Sequence, residues 1–232
     1  MRCDRHLKGI RLKRRQFSAL AASTTLGLGL ARQARAQGGA PIGAADYARI
    51  GSPVQVSTPP GTVDVVEFFS YACPHCFEFE PTLEGWLKHK SPEIRFRRSP
   101  VPFLQNFRIF QPAYFALEAM GVVDAMQQKV FDAFHKERQR LDKPEDIAAL
   151  VARNGFDPKK FMAAFTAFGT NVKVSQANQL FQDSSANGVP TLMVQGRFLT
   201  SPTLVKATTI AESETRAVAA IDYLVAQVRA GH

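Results

Sequence analysis

Two cysteines, Cys73 and Cys76, stand with only Pro74 and His75 between them. Thiols at this spacing can close a disulfide, exchange it with another thiol, or bind a soft metal. So small a loop hardly restricts the unfolded chain, which makes an inert structural staple the weakest reading. Proline is comfortable at the first helical position, where its missing N–H costs nothing, so Pro74 sets a helix start at the pair. Cys73 then meets unpaired backbone N–H groups and the positive end of the helix dipole, both of which favour a thiolate. Cys76 lies one turn further on and can reach its sulfur. His75, whose charge changes near neutrality, can donate a hydrogen bond or place positive charge beside the thiolate. Each effect stabilises the reduced form, and a stabilised reduced form means a disulfide that is readily given away. The zinc alternative is short of ligands. A structural site takes four from Cys and His, whereas His89 and His135 have no metal-ligand spacing and His232 is the last residue.

The elements that must position this pair can be read on both sides of it. Val63-Asp64-Val65-Val66-Glu67-Phe68-Phe69 is β-branched and aromatic and reads as a buried strand. Phe79, Leu83, Trp86 and Leu87 recur at helical spacing after the pair, and Pro81 falls inside that helix. Ile94 to Arg97 reads as a second strand, ended by Pro100 and Pro102. From about Asn106 to Gln182 the pattern is helical throughout. Pro144 and Asp157-Pro158 mark helix starts, and Gly121 and Asn154-Gly155 mark stops. Strand character returns at Thr191 to Val194, turns at Gln195-Gly196 and resumes over Arg197 to Leu199, before an alanine-rich helix from Arg216 to Val228. This order predicts an α/β fold with an all-helical insertion. Asn187-Gly188-Val189-Pro190 directly precedes the returning strand; proline is tolerated at a strand's first residue, and its peptide bond there can be cis.

Residues 1–36 combine a basic start, an apolar stretch over Phe17 to Leu30 and the small-residue site Ala34-Arg35-Ala36, the order of a cleaved secretory signal peptide. Arg14-Arg15-Gln16-Phe17 resembles a twin-arginine signal in part, which leaves the Sec and Tat routes both open. The whole chain carries 29 basic and 20 acidic residues. Nine of the basic residues and one acid fall in the leader, so the remainder is nearly neutral, at 20 against 19. Such a balance offers no field for gathering phosphate backbones, and nucleic-acid binding is not expected. No apolar run is long enough to span a bilayer. Cys3 belongs to the leader, which leaves Cys73 and Cys76 as the only thiols of the exported chain.

Val66-Glu67-Phe68-Phe69-Ser70, Cys73-Pro74-His75-Cys76 followed by Phe77-Glu78-Phe79-Glu80, and Gly188-Val189-Pro190-Thr191 together resemble the DsbA family of periplasmic disulfide oxidases. The resemblance covers essentially the whole exported chain, although the helical middle matches by character more than by motif. It implies a thioredoxin-like domain over residues 62–104 and 183–232, interrupted by a helical insertion over 105–182 and preceded by an N-terminal segment, 37–61. It implies that Cys73 is the exposed nucleophile and Cys76 the resolving thiol. It further implies that Glu67 is the buried acid beneath them, and that a cis Val189–Pro190 bond faces the disulfide and offers backbone groups to an extended substrate. A depressed nucleophile pKa and an oxidising potential are already known of that family. Glu80 and Arg98 stand where the family has a charged pair, for which a surface salt bridge is the simpler account. Phe103, Phe107 and Phe110 fit either an apolar groove by the site or ordinary core. Some members carry a second disulfide in the helical part; this chain does not.

The implied activity is donation of the Cys73–Cys76 disulfide to reduced, unfolded exported polypeptides, with reoxidation by a quinone-linked membrane oxidase. The redox-active disulfide is then the only cofactor, and neither a metal nor a nucleic-acid partner is implied. About 25 residues separate the leader from the first strand, too few for a dimerisation domain, so a monomer is expected. An exported reductase or isomerase and a peptide-binding, chaperone-like module are the alternatives.

Overall fold

The computed structural model describes residues 41–102 and 108–231. The signal-peptide reading of residues 1–36 and the readings of Phe103 and Phe107 lie outside these residues. Among the described residues no helix is long and apolar enough to cross a membrane.

The sheet has five strands: β1 (Ala48–Arg49), β2 (Val63–Phe69), β3 (Ile94–Pro100), β4 (Thr191–Val194) and β5 (Phe198–Thr200). Their order is β1-β5-β4-β2-β3, and only the β2–β3 pair is parallel. Parallel neighbours need a crossover, supplied by helix α1 (Pro74–Leu87), which runs on through Pro81. Every residue of β2 is buried, Asp64 and Glu67 included, as fits a central strand covered on both faces. Asp64, near its start, accepts from Arg97 Nε and Nη2 at 3.3 and 3.0 Å, and its backbone N–H donates to Gln195 Oε1 at 2.8 Å.

The two faces of β2 meet different partners, as alternation along a strand dictates. Val63 and Val65 pack with Phe79 and Leu83 of α1 and with Ala217, Ala220, Ile221 and Leu224 of the closing helix α7 (Ile210–Arg229). Val66 and Phe68 pack with Met193, Leu199, Leu180 and Phe181 on the opposite face. Leu180 and Phe181 belong to α6 (Phe168–Asp183), the last of five helices among the described residues between β3 and β4. The others are α2 (Phe110–Ala119), α3 (Val123–Phe131), α4 (Pro144–Arg153) and α5 (Pro158–Phe165). A π turn over Asp132–Lys136 continues α3. Proline stands at the start of α1, α4 and α5, and Asp157 caps α5 by accepting from the Lys159 and Lys160 N–H groups. Phe110 is core: it is 2 % exposed and its ring meets Tyr71 and Phe134.

Strand β1 and the start of α7 were not expected from the sequence. Two residues are too few to show a period, and β1 is fixed instead by pairing with β5 and by a buried anchor beside it. Asp46 accepts from Arg216 Nε and Nη2 at 2.7 Å each and from the Lys206 N–H, tying the N-terminal segment to α7. Helix α7 begins six residues before the alanine-rich run because Thr209 caps it, accepting from the Glu212 N–H at 3.1 Å.

The β4–β5 hairpin turns at Gln195 and Gly196, both at positive φ (51° and 62°). A Cβ on Gly196 would lie 2.0 Å from the Val54 carbonyl oxygen, while the Val54 N–H donates to the Gly196 carbonyl at 2.8 Å. Gly196→Ala therefore combines backbone strain with a collision that the N-terminal segment must yield to. Urea unfolding should show a loss of about 2–4 kcal/mol; an unchanged midpoint would mean that residues 54–56 are not held against the turn.

Candidate active site

Cys73 occupies the N-cap position of α1 with extended backbone (φ −86°, ψ 119°), and Pro74 is the first helical residue. The turn from β2 is short and internally bonded. The Cys73 N–H donates to the Ser70 carbonyl at 3.0 Å, and the Ala72 N–H donates to Ser70 Oγ at 3.2 Å. Cys76 lies one turn into the helix. The two sulfurs have opposite environments. The Cys73 thiol is brought down to about 6, first by the hydrogen bond that the Cys76 thiol donates to its sulfur, with the backbone N–H groups of Cys76 and His75 adding to it against the cost of burial. Cys76 is pushed well above the ordinary thiol range, first by burial and then by that same hydrogen bond. The helix-start argument thus gives the right direction for Cys73, but the largest cause is Cys76 itself.

One expectation about the cysteines is corrected. The sulfur-bearing side chain of Cys73 is not exposed: the residue is only 1 % accessible, because it lies in the apolar cluster around Phe69 and Tyr71 and its Sγ donates to the Val189 carbonyl at 3.4 Å. The His75 ring, 67 % exposed, pairs through Nδ1 with Glu78 Oε2 at 3.1 Å, and its backbone N–H and its charge both lower the Cys73 thiol, though less than Cys76 does. Pro74 is exposed beside it. The Val189 carbonyl meets the Cys73 sulfur from the loop just before β4, and the Val189–Pro190 peptide bond is cis.

Glu67 is fully buried, and the register of β2 against β3 sets it opposite Arg98. Arg98 Nε donates to Glu67 Oε2 at 2.9 Å, and its Nη2 donates to Glu80 at 2.7 Å and to Glu84 at 2.8 Å. This is no surface salt bridge, because the Arg98 side chain is 5 % exposed and those of Glu67 and Glu80 are fully enclosed. One guanidinium cannot neutralise three carboxylates. Burial raises Glu67 to about 7 and Glu80 to about 8 despite Arg98, and the neighbouring carboxylates push the same way. Among the described residues Glu67 Oε1 has no hydrogen-bond partner, and the charge of Glu67 raises Cys76. Glu80 also accepts from Gln127 Nε2 at 3.4 Å, and Gln127 Oε1 accepts from the Tyr71 hydroxyl at 2.6 Å. Glu84 and Gln127 carry no motif, and only tertiary contact brings them here. Among the described residues no three His, Cys, Asp or Glu side chains gather as a metal site.

A strand–helix–strand unit with a dithiol at its helix start, a cis proline opposite, and a returning hairpin closed by a helix define a thioredoxin-fold thiol:disulfide oxidoreductase. A DSBA-like thioredoxin domain model matches residues 110–209, a span that takes in the helical insertion and the cis proline but begins after the cysteines. The chain is 40 % identical over 184 residues to the thiol:disulfide interchange protein DsbA of Burkholderia cepacia, covering 79 % of this chain and 87 % of that one. Its counterpart in Pseudomonas aeruginosa is 36 % identical over 66 % of this chain and 72 % of its own. The crystal structure of Pseudomonas aeruginosa DsbA superposes with a TM-score of 0.73 at 33 % identity, covering 81 % of this chain and 94 % of that one. The oxidoreductase DsbA from Xylella fastidiosa gives 0.70 at 27 %, over 82 % and 98 %. The chain belongs to the DsbA family of thiol:disulfide interchange proteins.

The buried carboxylates have a consequence for stability. Glu67 binds its proton more tightly folded, at about 7, than unfolded, near 4.5. Its contribution is therefore fully present below pH 4.5 and lost as the pH rises toward 7. In urea unfolding of the reduced protein, Glu67→Gln should abolish this share of the decline between pH 5 and pH 8, leaving the variant more stable relative to the parent at the higher pH by on the order of 1–3 kcal/mol. Equal slopes for the two proteins would contradict a raised Glu67.

Proposed function

We propose that the protein is a disulfide donor acting on reduced, unfolded polypeptides in the periplasm, and that Cys73, Cys76, His75, Pro74, Glu67, Val189 and Pro190 form its site. The observation that carries this reading is the inequality of the two sulfurs, about 6 for Cys73 against a strongly raised Cys76. In the first step a substrate thiolate attacks Cys73 Sγ. The Cys73–Cys76 bond breaks, its electron pair stays on Cys76, and Cys76 takes up a proton. In the second step another substrate thiolate attacks the substrate sulfur of the mixed disulfide. Cys73 then leaves as a stable thiolate, and the substrate has lost two electrons. Glu67, titrating near 7 within reach of Cys76's field, is placed to give that proton and to take it back when the pair is reoxidised. The Val189 carbonyl, which accepts from Cys73 when that thiol is protonated, marks where an extended substrate backbone would lie against the sulfur.

Reoxidation of the pair is assigned to a quinone-linked membrane oxidase, and the leader over residues 1–36 to export by the Sec or Tat route. The exported protein is read as a monomer in which residues 62–104 and 183–232 form the thioredoxin-like domain and 105–182 the insertion. The family membership and the leader support these assignments.

The oxidised protein, incubated in equimolar amount with a reduced two-cysteine peptide, should convert it to the cyclic disulfide within minutes. Cys73→Ser should abolish conversion, losing at least about 1000-fold in rate, since no other group can form the mixed disulfide. Cys76→Ser, which cannot form the internal disulfide, should likewise fail to convert the reduced peptide, but its Cys73 thiolate should open the peptide's cyclic disulfide and hold it as a mixed disulfide visible by mass spectrometry. Peptide binding that persists in both variants, with no conversion by the parent, would favour a peptide-binding module over an oxidase.

A further inference from the structure

The imidazole of His135 touches both flanks of the cysteine motif. Its Nε2 lies 2.8 Å from the Tyr71 carbonyl oxygen, two residues before Cys73. Its ring stacks on that of Phe77, the residue after Cys76, with centroids 4.9 Å apart and planes 12° from parallel. His135 comes from the π turn at the end of α3, far along the chain. The insertion of one residue into a helical turn re-aims the side chains that follow it, a device found often at functional sites. Here the turn is itself anchored. The Glu137 N–H donates to the Asp132 carbonyl at 2.9 Å, and Lys136 bridges back to Asp132 at 2.9 Å while its ammonium sits over the Phe77 ring.

We propose that His135 is a positioning residue for the redox pair: the N–H it donates to the Tyr71 carbonyl fixes the strand-to-helix turn that aims Cys73 at its stabilising donors. Three residues, Ser70 to Ala72, connect β2 to the cysteine; the Ser70 carbonyl accepts from the Cys73 N–H, Ser70 Oγ accepts from the Ala72 N–H, and the Tyr71 hydroxyl donates to Gln127. The Tyr71 carbonyl is satisfied by His135. If that bond is removed, the Tyr71–Ala72 peptide plane is released at one end. Cys73 Sγ must then hold its alignment with the Cys76 thiol and the His75 and Cys76 N–H groups without that support. The stacked Phe77 ring couples the same imidazole to the first turn of α1, so both sides of the motif are referenced to one group. Half-burial holds His135 below the ordinary imidazole range, which favours the neutral ring with a single N–H. A carbonyl partner requires that N–H on Nε2.

This inference deepens the disulfide-donor reading and rests on it. The test compares the glutathione redox equilibrium of the parent with those of His135→Phe, which keeps an aromatic ring for Phe77 but donates nothing, and His135→Gln, which keeps a side-chain N–H. His135→Phe should move the equilibrium about threefold to tenfold toward the oxidised protein, as one lost hydrogen bond implies, while His135→Gln stays near the parent. Thermal unfolding of each variant separates this from simple instability. A merely structural histidine would lower the melting temperature and leave the equilibrium constant unmoved in both variants, which would overturn the proposal. So would equal shifts in both. Should His135→Phe fail to fold, nitrogen-15 spectra of the parent's histidines decide the matter. The Nε2–H tautomer is expected at His135, and the Nδ1–H tautomer would leave the Tyr71 carbonyl without its donor and overturn the assignment. The parent's own constant tests the donor reading separately: a pair that stays oxidised in reducing buffer contradicts that reading, whereas the differences among variants decide His135.

Discussion

The inequality of the two sulfurs, Cys73 lowered and Cys76 raised, is the constraint on which the chemistry of this site depends. It arises because they sit in unlike surroundings one helical turn apart, where the Cys76 side chain pushes the Cys73 thiol down. Cys73 is at the helix start, where backbone N–H groups are unpaired and the dipole is positive, so negative charge is stabilised there. Cys76 is deeper, and burial keeps it protonated and therefore able to donate. Each sulfur's state supports the other's. A disulfide between them is correspondingly poor in relative energy, because reduction creates an interaction that oxidation destroys.

The surrounding architecture serves that asymmetry. The parallel register of β2 and β3 sets Glu67 opposite Arg98, and helix α1 lowers Glu80 and Glu84 onto the same guanidinium. Burial raises Glu67 and Glu80 by more than Arg98 lowers them, neighbouring carboxylates add to it, and a proton held near neutral pH within the cluster is the result. Arginine suits the centre of such a cluster because its planar fork can serve several acceptors at once and does not lose its charge on burial.

Much of this was legible in the sequence, and the parts that were not share a cause. Strand β2 was read to its boundaries because a β-branched and aromatic run between turn signals has few other uses. The helix starts at Pro74, Pro144 and Pro158 were legible because proline's missing N–H has a preferred place. The dithiol and the proline loop are short-range motifs, and they carried the family resemblance. Strand β1, by contrast, owes its existence to pairing with β5 and to the Asp46–Arg216 anchor, contacts that span most of the chain. Glu84, Gln127 and His135 have no local signature either. Their partners are set by how α1, α3 and the π turn pack. The exposure of Cys73 was misjudged because a cover formed by the Val189 carbonyl and an aromatic cluster cannot be read from spacing.

The measurement that tests the central claim most directly is the rate of alkylation of the reduced protein as a function of pH, with the modified cysteine identified by mass spectrometry. Alkylation should fall on Cys73 alone and follow a single ionisation near pH 6, with Cys76 silent through neutral pH. Alkylation that begins only above about pH 8, where an ordinary thiol ionises, or that divides between the two cysteines, would contradict the unequal pair and with it the account of disulfide donation.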